Sequence, residues 1–388
     1  NVVRKIMERD EIKMANIFDY MQWRDIPLAK TEFNEIDNLI LARFSYFPLD
    51  NEIIHKNEKI TIKESYKRYK ENGSTGRILQ KEDIDLYPIL ANSQRFGGLY
   101  ISDFENKIDE ELEKQFSAIT IHLPNNYIYV AYRGTDNTII GWREDLNMCF
   151  SDTVPSQIDA TNYLNKIVEK YNNPELKIFV GGHSKGGNLA IYASAFCKKD
   201  IQDKIINVYN NDGPGFSEKI AGTQEYTNIL KKIQTFMPQT SIIGRLLNHK
   251  EKITILQSTQ TGIMQHDLYS WQVLADHFVK DDFTSSSEFI DQTISNWLIE
   301  VSPEQRKEFV RVLFEILNST QAETLSQISS KWFSNAKTMI KSYQQLDEKS
   351  KEALNKTIAV FMKVGRENAK LELKNKAEHK TKIDNDNI

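Results

Sequence analysis

The chain has 388 residues, of which 40% are apolar and 27% are charged, and its formal net charge at pH 7 is −4. This apolar content suffices for the core of one large domain with additions, and the net charge excludes a general electrostatic attraction for nucleic acid. Cys149 and Cys197 both lie in apolar stretches, so we expect no disulfide framework and a reducing compartment. Because no apolar run is long enough to span a bilayer and the N-terminal stretch lacks a signal-peptide core, we predict a cytoplasmic protein without a transmembrane segment.

Helical spacing of apolar residues predicts a helix over residues 16–48, within an N-terminal helical part that covers about residues 1–90. The stretches QFSAITIHL and YIYVAYRG, joined by a PNN turn, predict a β-hairpin that feeds a sheet. An amphipathic helix over residues 156–171, the strand KIFVGG and a further helix with one apolar face follow. Strands alternate with helices in this way over residues 115–260, which predicts a mostly parallel sheet with helices on both faces.

The C-terminal part has a different pattern. The stretch SWQVLADHFV, residues 270–279, has helical periodicity, and from Phe289 onward only helical patterns are present, one of them opening with a capping box at residues 302–305. We therefore predict a domain over residues 1–280, a helical C-terminal extension over 281–364 and a charged, disordered tail over 365–388.

The segment KIFVGGHSKGGNLAIYAS, residues 177–194, places four glycines around one serine between a predicted strand and a predicted helix. Within it, Gly182-His183-Ser184-Lys185-Gly186 fits the nucleophile-elbow pattern G-x-S-x-G. Such a turn strains the serine so that its hydroxyl stands above the sheet edge, and the glycines prevent clashes with the adjacent strand and helix. The alternatives are a turn without a ligand, or a phosphate-binding turn, which fits less well because a lysine directly follows the serine.

A second motif precedes the elbow: Arg133-Gly134-Thr135 ends a predicted strand, and residues 142–146 form the pattern W-x-x-D-L. With the elbow G-H-S-x-G-G, these segments resemble the class 3 lipases of the α/β-hydrolase superfamily, and most closely their bacterial relatives, the Mbeg1-like proteins. Segments similar to NNDGPGF, MPQTSIIGRLL and QHDLYSW recur in that family. The resemblance covers residues 15–280 and implies an α/β-hydrolase-like fold, with an oxyanion hole formed at Thr135 and by the backbone N–H of Lys185. The alternative for the first motif is a plain strand-end turn, with Arg133 solvated or paired with Asp145.

A serine hydroxyl needs a base, and in hydrolases of this fold the chain order is serine, acid, histidine. The histidines that follow Ser184 are His249, His266, His277 and His379. The first precedes the strand KITILQST, the third lies in a predicted helix, and the last lies in the predicted tail. His266 follows the C-terminal end of that strand, where catalytic groups gather in open α/β sheets, so it is our candidate base. The alternative is a loop histidine bonded to Asp267.

The acid departs from the family pattern. Class 3 lipases carry an aspartate after the strand that corresponds to IQTFMP, but this chain has Gln239-Thr240-Ser241 there, and none of these carries a negative charge. Asp212, at the end of the preceding strand, is therefore our candidate acid. The alternatives are that Asp212 caps the turn at residues 213–215, or that Asp267 is the acid, although adjacent loop residues rarely point at one another.

These residues predict a lipase- or esterase-like serine hydrolase that cleaves carboxylic esters or thioesters of an acyl-bearing small molecule or lipid. Ser184, His266 and Asp212 form its triad, with neither a cofactor nor a metal, because no zinc-type motif is present. One alternative is a weakly active or inactive hydrolase-fold scaffold that binds a protein or lipid partner through its C-terminal helices. A further alternative is an acyltransferase. We also expect residues 214–232 to form a lid over the site.

Overall fold

The computed structural model describes residues 15–50, 53–72, 80–136, 139–281, 301–320 and 332–359, together with residues 362, 363 and 366. The helical pattern predicted between Phe289 and residue 300, the candidate His379 and the predicted tail apart from residue 366 lie outside the described residues.

The N-terminal part is helical but contains two helices where one was predicted over residues 16–48. The described helices before Tyr100 are α1 (Ile17–Trp23), α2 (Glu35–Phe44), α3 (Ile62–Glu71) and α4 (Glu82–Asn92). The prediction of one continuous helix is wrong because Asn34 starts a new one. Its side chain accepts hydrogen bonds from the backbone N–H groups of Ile36 and Asp37, and the Asp37 carboxylate accepts one from the Asn34 N–H.

Eight strands form one sheet in which the order of the strands follows the chain. They are β1 (Lys59–Thr61), β2 (Tyr100–Asp109), β3 (Lys114–His122), β4 (Tyr127–Tyr132), β5 (Lys177–His183), β6 (Ile205–Asn211), β7 (Ile233–Pro238) and β8 (Ile253–Leu256). Strands β1 to β4 are antiparallel, which confirms the predicted hairpin as β3–β4, and β4 to β8 are parallel. The predicted fold class, a mostly parallel α/β sheet, is confirmed.

Side chains that alternate along the strands form a core on each face of the sheet. The helices after β4 are α5 (Ile139–Asn147), α6 (Pro155–Tyr171), α7 (Lys185–Phe196), α8 (Lys199–Lys204), α9 (Glu218–Ala221) and α10 (Gln224–Ile229). In β4, Val130 and Tyr132 pack with α6 and α7, whereas Tyr129 and Ala131 pack on the opposite face with α2. Helix α7 is buried from Lys185 to Ala195, on all sides and not only along the predicted apolar face.

Two sequence expectations beyond the elbow are wrong. Residues 214–232 do not form a lid, because Phe216, Ile220 and Tyr226 are buried in the core that packs on α7. The stretch 270–279 is not helical but contains the two-stranded hairpin β9 (Val273–Leu274) and β10 (His277–Phe278).

The described part of the C-terminal extension is helical, as predicted. Helix α11 (Pro303–Asn318) opens with the predicted capping box, in which the Ser302 hydroxyl accepts from the Gln305 N–H and the Gln305 side chain accepts from the Ser302 N–H. Helix α12 (Trp332–Gln345) and residues 348–359 follow. Apolar side chains of α11 pack against Trp142 and Leu146 of α5, so this extension contacts the helix that follows β4. Within the described residues, we find no helix with the length and apolar character that a membrane crossing requires.

Candidate active site

Ser184 lies in a strained turn between β5 and α7. Its backbone has φ 58° and ψ −133°, a conformation that costs a residue with a side chain on the order of 1–3 kcal/mol. A Cβ atom on Gly182 would lie 2.3 Å from the carbonyl carbon of Gly186, and one on Gly186 would lie 2.2 Å from the carbonyl oxygen of Tyr132. The two glycines therefore allow the close approach of strand and helix that holds the serine in this conformation.

Asp212 and His266 are joined by a hydrogen bond at the C-terminal edge of the sheet. Asp212 directly follows β6 and is fully buried, and its Oδ2 lies 2.7 Å from Nδ1 of His266. In this bond Nδ1 donates to the carboxylate oxygen, and a neutral imidazole with its proton on Nδ1 leaves Nε2 to accept one. The other carboxylate oxygen, Oδ1, accepts a hydrogen bond from the Ser241 hydroxyl over 2.5 Å.

The turn after β6 is not capped by Asp212. Asn210 performs that role, because its Oδ1 accepts from the Gly213 N–H over 2.8 Å and its Nδ2 donates to the Gly213 carbonyl oxygen over 3.2 Å. The alternative assignment for Asp212 is therefore wrong, and its carboxylate contacts His266 and Ser241 instead.

His183 contacts the backbone and ring of His266, a contact that no sequence pattern predicted. Its Nε2 donates to the His266 carbonyl oxygen over 2.8 Å, and the centroids of the two rings are 4.5 Å apart. Burial lowers the pKa of His183 well below its usual range, so the ring is neutral. Its Nδ1 then accepts, and the Tyr46 hydroxyl lies 3.4 Å from it. Trp271 fixes the same segment by donating from Nε1 to the Gln265 carbonyl oxygen over 2.8 Å.

The two predicted oxyanion donors come from the segment after β4 and from the first residue of α7. Thr135 follows β4, and its hydroxyl donates to the Asp145 carboxylate. Lys185 is the first residue of α7, so its backbone N–H has no acceptor within the helix. Arg133 does not pair with Asp145 as the alternative required. Its guanidinium donates to the Asn106 side chain over 3.0 Å and lies 3.7 Å from Asp136.

The side chain of Lys185 is buried beneath α5. Its Nζ donates to the Glu144 carboxylate over 2.9 Å and to the Gln115 carbonyl oxygen over 3.0 Å, and it lies 3.6 Å from Asp145. Both Lys185 and Glu144 are about 1% exposed or less. Two carboxylates outweigh the effect of burial and raise the pKa of Lys185, so it is a cation fixed beside the serine turn.

Ser184 and His266 line one cavity of about 520 Å³. Among the described residues no hydrogen bond joins the Ser184 hydroxyl to the His266 ring, a geometry that is common in hydrolases without bound substrate. The remaining lining residues come from α2, from residues that flank α2 and α4, from the end of β5, from the 135–145 segment and from the loops after β7 and β8. They are Arg43, Tyr46, Gln80, Thr135, Asp136, Trp142, Asp145, His183, Ile243, Met264, Asp267 and Leu268.

The other candidate side chains contact different groups. His249 is bonded to Glu251 over 2.8 Å, and His277 is half-exposed beside Asp276. The Asp267 carboxylate accepts from the Gln80 side chain and from a backbone N–H, and it has no hydrogen bond to the His266 ring. No group of three His, Cys, Asp or Glu side chains in the described part of the chain is arranged to hold a metal ion.

No sequence pattern indicated that Tyr46 and Gln80 would line the cavity. They lie in the N-terminal part, far along the chain from the elbow, and they line the cavity only because α2 and α4 pack over the sheet. His183 belongs to the elbow motif, so its position next to Ser184 is evident from the sequence. Its contact with His266, in contrast, depends on the fold.

Several solved lipase structures are similar to this chain. Lipase II from Rhizopus niveus is 14% identical with a TM-score of 0.33, over 49% of this chain and 76% of that chain. The Lip2 lipase from Yarrowia lipolytica is 12% identical with a TM-score of 0.33, over 60% of this chain and 89% of that chain. A further fungal lipase is 15% identical with a TM-score of 0.38, over 63% of this chain and 84% of that chain.

Among curated proteins, no sequence matches this chain. The sequence profile of the Mbeg1-like family matches residues 90–315, which is more than half of the chain. The chain therefore belongs to the Mbeg1-like family.

Proposed function

We propose that this protein is a serine hydrolase that cleaves carboxylic esters or thioesters through Ser184, His266 and Asp212. The observation that carries the proposal is the 2.7 Å hydrogen bond between the fully buried Asp212 and His266, in a cavity that also contains the strained Ser184. A strained serine beside an oriented imidazole is what nucleophilic catalysis requires, whereas a turn that only supports the fold has no need of it.

In this mechanism the Ser184 oxygen attacks the carbonyl carbon of the substrate while Nε2 of His266 takes the hydroxyl proton. Asp212 holds the imidazole in one tautomer and stabilises the imidazolium that forms. The backbone N–H groups of Thr135 and Lys185 stabilise the oxyanion. The bond to the alcohol or thiol then breaks, and His266 donates its proton to that leaving group. A water molecule, deprotonated by His266, attacks the acyl-enzyme, and the carboxylic acid leaves as Ser184 regains its proton.

Apolar side chains in the cavity support an acyl substrate. Trp142 of α5 lines one wall, and Ile243, Met264 and Leu268 line the wall formed by the loops after β7 and β8. Met264 is 60% exposed, so its side chain is accessible to a ligand in the cavity. We therefore propose that these side chains contact the acyl part of the ester.

The test is hydrolysis of p-nitrophenyl acetate and p-nitrophenyl butyrate by the full chain and by its Ser184→Ala variant. We expect turnover by the wild type and a loss of about a thousandfold or more in the variant, because the nucleophile is gone. Ser194→Ala is the matched control, since Ser194 lies in the same helix α7 but is buried away from the cavity. Equal activity of Ser184→Ala and wild type would reject the proposal, and a folded wild type without turnover would favour a binding scaffold.

A further inference from the structure

The leaving group of the proposed substrate has to lie beside His266, because that imidazole donates the proton to it. The residue that follows, Asp267, lines the same cavity. Among the described residues Asp267 has no ion pair: its carboxylate accepts from the neutral Gln80 side chain over 3.3 Å and from the Tyr269 backbone N–H over 3.2 Å. The carboxylate nearest in the chain to the proposed proton donor is therefore uncompensated by any cation in direct contact.

The remaining charges of the cavity wall are also mainly negative. Four described side chains other than the histidines are charged there: Arg43, Asp136, Asp145 and Asp267. The one cation among them is already neutralised, because the Arg43 guanidinium makes two hydrogen bonds of 2.6 and 2.5 Å to the buried Asp83. The positive charge of Arg43 is therefore balanced by the Asp83 carboxylate, which does not line the cavity.

Asp145, the lining carboxylate of α5, shares its cation with a second carboxylate. It lies 3.6 Å from Lys185, which is closer to Glu144 at 2.9 Å. A single cation, the Lys185 ammonium group, therefore balances two carboxylates, those of Glu144 and Asp145. Burial raises the pKa of both Asp145 and Asp267, and this effect is opposed by Lys185 at Asp145 and by the Tyr269 N–H and Arg43 at Asp267.

We infer that the site selects esters and thioesters whose leaving alcohol or thiol is cationic, and discriminates against those whose leaving group is anionic. This inference rests on the proposed function and specifies its substrate class. A cleft lined by one sign of charge raises the local concentration of the opposite charge, and a low-dielectric wall strengthens the effect. The apolar side chains of Trp142, Ile243 and Met264 remain for the acyl chain, so the substrate that we infer has an apolar acyl half and a positively charged leaving half.

The test uses three thioesters with the same butyryl group and leaving thiols of similar size. They are butyrylthiocholine, its uncharged 3,3-dimethylbutyl analogue and the butyryl thioester of 2-mercaptoethanesulfonate. Each hydrolysis adds water across the acyl–sulfur bond and releases a thiol that can be titrated, so kcat/KM is read in the same way for all three. At pH 8 and low salt we expect kcat/KM for the cationic substrate to exceed that for the anionic one by at least about tenfold, and the ratio to fall as salt is added.

The variant Asp267→Asn tests whether the Asp267 carboxylate causes the preference for the cationic substrate. Asparagine keeps a side-chain oxygen that can accept from the Tyr269 N–H, so we expect the fold to persist and the ratio to fall severalfold. Asp203→Asn is the matched control, since Asp203 is an exposed carboxylate in α8, at the opposite edge of the sheet. Asp136→Asn is a second variant, at another carboxylate that lines the cavity.

The outcomes separate this inference from the proposed function. Hydrolysis of all three thioesters at equal rates, or a preference for the anionic one, would overturn the inference and leave the proposed function intact. A ratio that is unchanged in both Asp267→Asn and Asp136→Asn would also overturn it. Absence of turnover with any of the three by the folded wild type would reject the proposed function and the inference together.

Discussion

Ser241 donates a hydrogen bond from its hydroxyl to Oδ1 of Asp212 over 2.5 Å, while Oδ2 of the same carboxylate lies 2.7 Å from the ring of His266. The resemblance to class 3 lipases leads one to expect the acid itself after β7, where Ser241 stands. In this chain the residue there supports a carboxylate that comes from the end of the neighbouring strand β6. This chain therefore has no acid directly after β7, but it has the buried Asp212 carboxylate at the end of the adjacent strand β6, in contact with His266.

The first prediction concerns this hydrogen bond. Ser241→Ala leaves Oδ1 of Asp212 buried without its donor, and a hydrogen bond to a charged group is worth about 1.5–3 kcal/mol. We expect kcat/KM for p-nitrophenyl butyrate to fall by about ten- to a hundredfold, because the carboxylate holds His266 less firmly. Ser217→Ala is the control, since that serine also donates to an aspartate, Asp152, but away from the cavity. Equal activity of Ser241→Ala and Ser217→Ala would contradict a role for Ser241.

The second prediction concerns the buried ion pair of Lys185 and Glu144. Removing one member leaves an unpaired charge in the interior, which typically costs about 3–5 kcal/mol. We expect Lys185→Met alone to lower the free energy of unfolding by this amount, and the double variant Lys185→Met/Glu144→Gln to cost less than the sum of the two single variants. Urea denaturation of the four proteins measures the coupling. Strictly additive effects would show that the two side chains do not stabilise one another.

The third prediction concerns His122, the last residue of β3, whose ring contacts Tyr171 of α6 outside the candidate site. Burial, with a smaller effect of Lys59, lowers its pKa from 6.5 to about 4. Between pH 6.5 and 4 the unfolded chain binds a proton at this residue that the folded chain does not, so stability falls as the pH falls. The slope is at most about 1.4 kcal/mol per pH unit.

The measurement is the free energy of unfolding of the wild type and of His122→Gln at pH 7.5 and at pH 5. We expect the wild type to lose up to about 2 kcal/mol more than the variant over this interval. His183, whose pKa burial also lowers, changes stability in the same direction but is present in both proteins, so its effect cancels in the difference. Parallel losses in the two proteins would contradict the assigned pKa of His122.

Local signals were enough to predict the parallel half of the sheet and the turn at Ser184. Strands in which apolar residues alternate, glycines at a sharp turn and an amphipathic helix are all visible as patterns in short segments. The position of His266 followed from a rule that applies to the whole sheet, namely that functional groups gather at the carboxyl ends of the strands. The position of Asp212 followed in the same way, from the strand beside it.

The failures occurred where distant parts of the chain decide the local structure. In the stretch 270–279, Trp271, Leu274 and Phe278 have helical spacing, but Leu274 is 58% exposed while the other two are fully buried. The segment is held extended by long-range contacts, among them the Val273 N–H that donates to the Ala15 carbonyl oxygen over 2.9 Å. A pattern of apolar spacing contains no information on such a partner.

The expected lid failed for a related reason. The segment does follow β6, but whether Phe216 and Tyr226 face the cavity or the core depends on how α9 and α10 pack on α7. They pack inward, and the Phe216 and Tyr226 rings contact each other with centroids 5.5 Å apart. Large apolar side chains in a connection are buried wherever a neighbouring helix offers an apolar face, so their presence alone did not indicate a lid.

The most direct test of the account is the rate of labelling by a fluorophosphonate probe, which reacts only with an activated serine. We expect rapid labelling of the wild type on a peptide containing Ser184, no labelling of Ser184→Ala, and labelling of Asp212→Asn slower by about 10⁴-fold, the loss typical when the acid of such a triad is removed. Asp203→Asn should label at the wild-type rate. Labelling of Asp212→Asn at the wild-type rate, or a folded wild type that does not react, would contradict the claim that Asp212 and His266 activate Ser184.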